Sequence, residues 1–330
     1  MTSSGFLNVR KPAGVTSHQC VGAIRRALGT KQVGHGGTLD PMATGVLAVA
    51  VGRATRFLQF LTTEKEYRGV IRLGVTTDSD DITGDVLTQR PVPWVTEESV
   101  RSALQRFIGS VDQVPPRVSA IKKDGVRMYK LARANKVFSI TPRRVHIERI
   151  DVETFAQGDF PEVGIRVECG GGTYIRSIAR ECGEALIVPP EHTDVPYDLR
   201  NPAGALCAGG TLTELERTRS GAFTIVDSLS LDEIRAKVEE GETLLQPIES
   251  MLQHLPFARL PQHTVQRWLH GGVVAVPADD IDFVDDKHYG LISGKSIRIY
   301  SRSSPRLLGV AQVDPQTQRN EFVLTKRLFI

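Results

Sequence analysis

The chain has 330 residues, of which 40% are hydrophobic, 24% charged and 6% aromatic. This composition is typical of a globular protein, the length suggests two domains, and no apolar run reaches the roughly 18 residues that a membrane span needs. The formal net charge is only +3, yet nine basic residues and one acidic residue lie between Arg117 and Arg144, which predicts a polyanionic partner.

The N-terminal part of the chain predicts a helix, a glycine-rich loop and a buried strand. Thr16 and Gln19 form a capping-box pattern at the start of a helix over residues 17–28. The polar stretch 33–45 then leads into the apolar run 45–52, which has the length of a buried strand.

Alternating and periodic apolar residues predict the next elements. The segment 65–75 alternates as a strand does, with Tyr67 and Leu73 on its apolar face and Arg68 and Arg72 on the other. The other predicted elements are a short helix at 54–61, helices at 97–108, 173–186 and 231–240, and strands at 145–155 and 163–169.

The last third of the chain predicts a change of architecture. Four prolines fall within 187–210, which predicts a Pro/Gly-rich insertion without regular structure. Short β-segments at 272–276, 296–300, 307–313 and 322–325 then predict a small β-barrel-like domain. We therefore expect a mixed α/β domain over 1–255 and a smaller β domain over 256–330.

Two groups of side chains could bind a metal, and each has a simpler interpretation. The four cysteines contain no C-x-x-C pair and have apolar neighbours, so we expect Cys20, Cys169, Cys182 and Cys207 in the core, with a metal site or a nucleophilic thiol as the alternatives. The five aspartates between Asp279 and Asp286 predict a solvated loop, with a hard-metal site as the alternative. We predict that the protein holds no metal.

The glycine-rich loop at 34–45 fits neither common phosphate-binding pattern. It lacks the Lys-Ser/Thr pair of a P-loop, and it precedes a strand, whereas a dinucleotide-binding turn joins a strand to a helix. We therefore expect no nucleotide cofactor. What the loop contains is a carboxylate, Asp40, beside Pro41, which restricts the backbone of both residues. Such framing suits a catalytic carboxylate, but an Asp-Pro pair taken alone is usually an ordinary turn.

Tyr67 and Arg176 each have an ordinary interpretation as well. Tyr67 on an apolar strand face is typical of core packing. Arg176 lies off the apolar stripe of its helix, in line with Arg180 and Glu184, which is typical of a solvated face. Arg176 also follows the glycine run 170–172, which would let a ligand come close.

Residues 34–47 resemble the catalytic signature of the TruB-like tRNA pseudouridine synthases, in which a Gly-His pair is followed by Leu-Asp-Pro and Ala-Thr-Gly. Other motifs match in order and spacing over residues 5–223. They are Lys11-Pro-Ala-Gly14, Lys65-Glu-Tyr-Arg68, Thr77-Asp78 with Gly84, 114–122, 125–129, 172–177 and 217–221. The resemblance implies an α+β fold with a mixed, largely antiparallel sheet and flanking helices, the pseudouridine synthase fold, followed by a small β-barrel-like PUA-type RNA-binding domain.

The resemblance also implies roles for individual residues. Asp40 would be the catalytic aspartate, Arg176 its partner, and Tyr67 the ring that stacks on the target base and the nearest candidate for proton abstraction. His35 would help to hold the extruded nucleotide, and 115–144 would be an RNA-gripping thumb. The further RNA contacts that we expect are Lys11, Lys122, Arg127, Tyr129, Arg143 and Arg217.

The implied activity is isomerisation of uridine 55 in the T-arm of tRNA to pseudouridine, with base flipping and without a cofactor. The main alternative is an RNA-binding or tRNA-folding module on the same scaffold without catalysis. A carboxylate-dependent glycoside hydrolase is a third possibility, but it needs a second acidic partner, which no residue provides clearly. We expect tRNA as the partner, no membrane association, a monomer and, because no secretory signal is visible, a cytoplasmic location.

Overall fold

The computed structural model describes residues 4–119, 122–123, 126–127, 140–192, 199–277, 281–282, 295–314 and 321–329. Within these residues the helices are α1 Ser17–Ala27, α2 Glu97–Gln105, α3 Ile175–Ala185, α4 Leu231–Glu239 and α5 Gln262–Leu269. Short 3-10 helices cover Gly52–Phe60, Pro190–His192 and Ile248–Met251. In this described part of the chain, no helix is both long and apolar enough to cross a membrane.

Nine described strands form the larger sheet, in the order β1-β3-β12-β4-β11-β10-β7, with β2 on β3 and β13 on β12. Their bounds are β1 Gly5–Lys11, β2 Val33–His35, β3 Thr44–Val51, β4 Lys65–Leu73, β7 Gly109–Gln113, β10 Arg143–Ala156, β11 Glu162–Cys169, β12 Gly210–Ser220 and β13 Phe223–Thr224. The pairing is antiparallel except between β12 and β3, which confirms the predicted mixed, largely antiparallel α+β sheet.

Local sequence signals explain most of these elements. Thr16 accepts a hydrogen bond from the backbone of Gln19, and the Gln19 side chain accepts one in return, so the capping box starts α1 as predicted. Strand β4 lies between β11 and β12 and follows the predicted alternation, with Ile71 and Leu73 fully buried.

The strand β12 is not predicted from the sequence, although it lies near the middle of the larger sheet. Its register against β4 shifts between Leu212 and Glu214 and again between Arg217 and Arg219. Each irregularity breaks the two-residue alternation by which a half-buried strand is recognised. The strand also carries several charged residues, which further obscures its burial.

The smaller sheet contains six described strands in the order β15-β19-β18-β17-β14-β16. Their bounds are β14 Phe257–Leu260, β15 Val274–Pro277, β16 Ile281–Asp282, β17 Ser296–Ser301, β18 Ser304–Val313 and β19 Glu321–Phe329. This nearly closed sheet agrees with the predicted C-terminal β-barrel-like, PUA-type unit. Helix α5, which is not predicted, packs Val265 and Trp268 into its core.

The two sheets are joined by a shared hydrophobic cluster. Phe6 and Phe57 from the N-terminal part pack in one cluster with Tyr300 and Leu307 from the smaller sheet. The two predicted domains, which divide after residue 255, are therefore in contact through buried apolar side chains. That division remains a prediction.

The remaining strands form two short hairpins, β5 Val75–Thr77 with β6 Val86–Gln89 and β8 Lys122–Lys123 with β9 Val126–Arg127. Parts of the predicted insertion are also described. Ile187 bridges to Cys207 and Arg200 to Leu206. All four cysteines are free and buried, as predicted. The acidic run at 279–286 lies outside the described residues except for the backbone of Ile281 and Asp282.

Trp268 tests the core of the smaller sheet, because it is fully buried while its neighbour Leu269 is 43% exposed. We expect Trp268→Ala to lower the free energy of unfolding by about 3–5 kcal/mol, since a large cavity replaces the indole. Leu269→Ala should change it by less than about 1 kcal/mol. Urea denaturation of both variants measures the difference, and equal losses would contradict this account of the core.

Candidate active site

A cavity of about 530 Å³ opens between the loop that carries Asp40, the start of β4 and the start of α3. Its size is within the range of small-ligand sites. The lining residues are 36–40, 58, 59, 61–63, 65, 67, 170–176, 215 and 217. The structure therefore brings Asp40, Tyr67, Arg176 and Arg217 together, although they are far apart in sequence.

Arg176 is the buried centre of this site, with only 3% of its side chain exposed. Its Nε lies 2.9 Å from Asp40 Oδ2, and its Nη1 lies 3.2 Å from Asp81 Oδ2. The Nε–H is not aligned with the Asp40 oxygen, so this contact is an ion pair and not a well-directed hydrogen bond. Nη1 and Nη2 also donate to the carbonyl oxygens of Ser79 and Val118.

Asp81 fixes the far side of this guanidinium. The residue is 3% exposed, and its Oδ1 accepts hydrogen bonds from the Ser79 hydroxyl at 2.9 Å and from the Thr83 backbone N–H at 2.9 Å. Two carboxylates therefore share one arginine. Asp81 is enclosed and fully bonded, whereas the Asp40 side chain is 33% exposed towards the cavity.

The loop around Asp40 is held from the side of α1. The Ser17 hydroxyl accepts from the Leu39 N–H at 2.8 Å and donates to the Leu39 carbonyl at 3.1 Å. The Lys11 ammonium donates to the carbonyls of Pro12, Pro41 and Ala43, at 2.8, 3.2 and 2.6 Å. These bonds fix the backbone on both sides of Asp40.

Arg217 holds the same loop from the side of β12. Its Nε donates to the Val46 carbonyl at 2.7 Å, and its two Nη atoms donate to the carbonyls of Thr38 and Gly37 at 3.4 and 3.2 Å. Gly45 allows this approach, because a Cβ there would lie 2.3 Å from the Arg217 carbonyl oxygen and its φ is +99°.

Tyr67 lies on β4 opposite Arg217 of β12 and Val167 of β11, with its ring against the cavity. Burial raises the pKa of Tyr67, while the charge of Arg217 and a hydrogen bond from it act in the other direction. The phenol therefore keeps its proton at neutral pH. An aromatic face and a neutral hydroxyl are both available to a ligand.

His35 is the last residue of β2, at the start of the glycine-rich loop, but it does not line the cavity. Its Nδ1 accepts a hydrogen bond from the Gly37 N–H at 3.4 Å, and burial, followed by the charges of Arg217 and His18, lowers its pKa. The imidazole is thus neutral at pH 7. Its expected contact with an extruded nucleotide remains a prediction.

The structure gives Lys11 a different place from the predicted RNA contact. Its side chain is fully buried, and all three hydrogens of the ammonium are donated to carbonyl oxygens, so no donor is left for a phosphate. Burial lowers its pKa to about 8. Arg217 is likewise 1% exposed, and it meets a ligand only from inside the cavity. Both residues position the Asp40 loop.

The other predicted RNA contacts divide between described and undescribed residues. Arg143 is exposed at the start of β10, and its charge acts on the hydroxyl of Tyr174, which lines the cavity. The side chains of Lys122 and Arg127, and all of Tyr129, lie outside the described residues. Only the backbone pairing of β8 with β9 is known there.

Asp81 and Lys65 are site residues that are not predicted from the sequence. Asp81 follows a second aspartate in a turn-rich stretch, where the polar residues also suit a solvated loop. Lys65 lies two residues before Tyr67 and so belongs to the same strand face, a signal that the sequence does contain. Among the described residues, no group of three or more His, Cys, Asp or Glu could hold a metal.

The chain is similar to known proteins over most of its length. A family model described as "TruB family pseudouridylate synthase (N terminal domain)" matches residues 25–175. The chain is 38% identical over 309 residues to a tRNA pseudouridine synthase B of Trichormus variabilis, which covers 94% of each protein. The chain belongs to the TruB family.

A second relative and a solved structure extend the likeness. The tRNA pseudouridine synthase B of Microcystis aeruginosa is 45% identical over 267 residues, which covers 81% of this chain and 83% of that protein. A chain in the crystal structure of a Cbf5-Nop10-Gar1 complex is 26% identical, with a TM-score of 0.67, and the match covers 98% of this chain and 84% of that chain. The region matched in the Cbf5-Nop10-Gar1 structure therefore includes both sheets of this TruB-family chain.

Removing Asp81 should destabilise the fold, because it would leave the buried Arg176 with less compensation. We expect Asp81→Ala to lower the free energy of unfolding by about 3–5 kcal/mol. Asp85→Ala is the matched control, since Asp85 is exposed in the same turn and its carboxylate makes no hydrogen bond or ion pair among the described residues. It should change the free energy of unfolding by about 0.5 kcal/mol or less. Guanidinium denaturation measures both, and a small loss for Asp81→Ala would show that Arg176 does not depend on it.

Proposed function

We propose that this TruB-family chain isomerises a uridine of tRNA to pseudouridine, with Asp40 as the catalytic carboxylate. The observation that carries the proposal is the Asp40–Arg176 ion pair at 2.9 Å, with Asp40 partly open to the cavity. The relatives named tRNA pseudouridine synthase B give the substrate class. The proposal includes uridine 55 of the T-arm as the target, and action by a monomer in the cytoplasm.

The reaction conserves every atom of the nucleotide. The bond from uracil N1 to ribose C1′ breaks, the base turns, C5 joins C1′, and the proton of C5 is replaced by one on N1. A base inside a folded RNA must first leave its stack, at a cost of a few kcal/mol. Stacking on the Tyr67 ring would return roughly 1–3 kcal/mol of this cost.

Arg176 and Asp81 prepare the carboxylate for this chemistry. The charge of the Arg176 guanidinium attracts one carboxylate oxygen of Asp40 and so orients the side chain. The other oxygen of Asp40 can then attack the nucleotide, either at ribose C1′ as the N1–C1′ bond breaks or at the uracil ring. In both cases the bond to Asp40 breaks again before the product leaves, so the carboxylate is regenerated. Because burial raises the pKa of Tyr67, its phenol can take the C5 proton only if it passes its own proton on.

A tRNA-folding module without catalysis is the alternative from another functional class. Such a module would need a basic surface and a cavity, but it would not need a carboxylate aimed into the cavity by a buried arginine. Assistance with tRNA folding beside catalysis is compatible with the same geometry.

The direct test is to incubate unmodified tRNA with the protein and to map pseudouridine at nucleotide resolution. We expect modification at position 55, and its loss in Asp40→Asn, which keeps the shape of the side chain but removes its charge. The affinity of Asp40→Asn for tRNA should stay within about threefold of wild type, since the RNA is held mainly through its phosphates.

Asp78→Asn is the control in this experiment, because it makes the same change at an exposed aspartate outside the cavity. It should modify tRNA at the wild-type rate. Turnover by Asp40→Asn above about a hundredth of wild type, roughly 2.7 kcal/mol of barrier, would exclude Asp40 as the nucleophile.

A further inference from the structure

Lys65 is a cavity residue for which the proposed reaction has no role so far. It is the first residue of β4, paired with Cys169 of β11 and with Ser220 of β12, and it is only 8% exposed. It lies two residues before Tyr67, so both side chains leave the same face of the strand and line the same cavity.

The ammonium of Lys65 has few polar partners for a buried charge. Among the described residues, its one hydrogen-bond acceptor is the Thr62 carbonyl oxygen at 3.3 Å, and no carboxylate lies at ion-pair distance. An enclosed cation normally has a carboxylate partner, because leaving water costs several kcal/mol. Two of the three ammonium hydrogens therefore remain available.

The groups that face Lys65 increase this excess of positive charge. From β12 come Arg217 and Arg219, from β11 comes Cys169, and from the preceding residue comes Glu64. Arg219 is paired with Glu168 and more loosely with Glu64, whose side chain is 72% exposed. Arg217, in contrast, has no carboxylate at ion-pair distance among the described residues, and its partners are carbonyl oxygens and the Tyr67 hydroxyl.

Gly37 lies between Lys65 and Arg217, the two enclosed cations for which the described part of the chain offers no carboxylate partner. A Cβ at Gly37 would lie 3.5 Å from Arg217 Nη1 and 3.7 Å from Lys65 Cε. This wall of the cavity therefore carries two positive charges without a matching negative one. The missing charge is one that a ligand can supply.

We propose that Lys65 binds a phosphate group of the nucleotide that enters the cavity. This inference rests on the proposed function, since it takes RNA as the ligand. The phosphates are the charged groups of RNA at neutral pH, and a lysine ammonium is a compact point charge that binds them well. Thr62 and Thr63, just before β4, line the same end of the cavity, and Gly171, just after β11, lies against Thr63. The segments 61–63 and 170–173 therefore present polar groups beside Lys65.

Affinity for RNA should then depend on pH in a defined direction. Burial first, and then the charge of Arg217, lowers the pKa of Lys65 to about 8 in the free protein. A bound phosphate raises this pKa again, so the contact is fully present below pH 8 and is lost progressively above it. Between pH 7 and pH 9 the contribution of Lys65 should weaken about tenfold.

The test compares the binding of unmodified tRNA by wild type, Lys65→Met, Lys65→Arg and Lys31→Met, at pH 7 and pH 9 and at several salt concentrations. Lys31 is exposed and lies outside the cavity, so Lys31→Met is the matched control. At pH 7 we expect Lys65→Met to bind about tenfold more weakly, with a slope of log affinity against log salt that is smaller by about 0.7–0.9.

The pH series separates the variants further. Wild type and Lys31→Met should lose affinity from pH 7 to pH 9 by about tenfold more than Lys65→Met does, because the titration of RNA and of other residues is common to all. Lys65→Arg should keep its affinity at both pH values, since arginine stays protonated. The thermal midpoint of Lys65→Met should equal or exceed that of wild type, because a desolvated charge is gone.

Equal affinities and equal salt slopes for wild type and Lys65→Met at pH 7 would overturn the proposal. A lower rate of pseudouridine formation with unchanged affinity would also overturn it, and would assign Lys65 to the chemical step. The binding assay needs no turnover. If the protein bound tRNA as expected but formed no pseudouridine, the proposed function would fail while the phosphate contact stood.

Discussion

The ion pair between Arg176 and Asp40 is the contact on which the site depends. A guanidinium with 3% of its side chain exposed can remain charged only if its surroundings replace water. Asp81, two carbonyl oxygens and Asp40 do so together. Ser79, Asp81 and Val118 do not line the cavity, so Asp40 is the one of these partners that reaches it. Burial of the arginine thus determines where the Asp40 carboxylate points.

The sheet supplies the rigidity that this arrangement needs. The Asp40 loop runs directly into β3, and β12 pairs in parallel with the start of β3, which brings Arg217 against the loop. Ser17 and Lys11 hold the opposite side. A carboxylate on a loop would otherwise sample many directions, and a displacement of about 1 Å can cost a hundredfold in rate. The buried polar groups around the cavity therefore act through position.

Much of this organisation can be predicted from the sequence. The remaining elements and contacts could not be predicted, for physical reasons. Capping and alternation predict α1 and β4, because both signals are local. The strand β12 is missed because two register shifts break its alternation. The position of Arg176 on its helix predicts a solvated side chain. The two carboxylates that pair with it, Asp40 and Asp81, come close only in the folded protein. Lys11 is expected to contact RNA, and its burial is missed for the same reason, since two of its carbonyl partners come from a distant loop.

The resemblance to the TruB family predicts more than the local sequence patterns do, because it gives Asp40, Tyr67 and Arg176 as expected site residues without knowledge of their contacts. It does not reveal how the charges are balanced. Asp81 on one side and Lys65 on the other complete the electrostatics of the cavity, the first by neutralising the arginine and the second by leaving a positive charge for the ligand. The roles of Asp81 and Lys65 are inferred only from interatomic distances and from the burial of their side chains.

The claim that Asp81 acts on catalysis through Arg176 is tested most directly by a double-mutant cycle on the rate of pseudouridine formation at saturating enzyme. Asp81→Asn removes the charge behind the arginine, and Arg176→Lys removes the planar fork that touches both carboxylates. If the three residues act as one chain, the double variant should be about as slow as the slower single variant. If the two losses instead add within about 0.5 kcal/mol, Asp81 and Arg176 act independently and the account is contradicted.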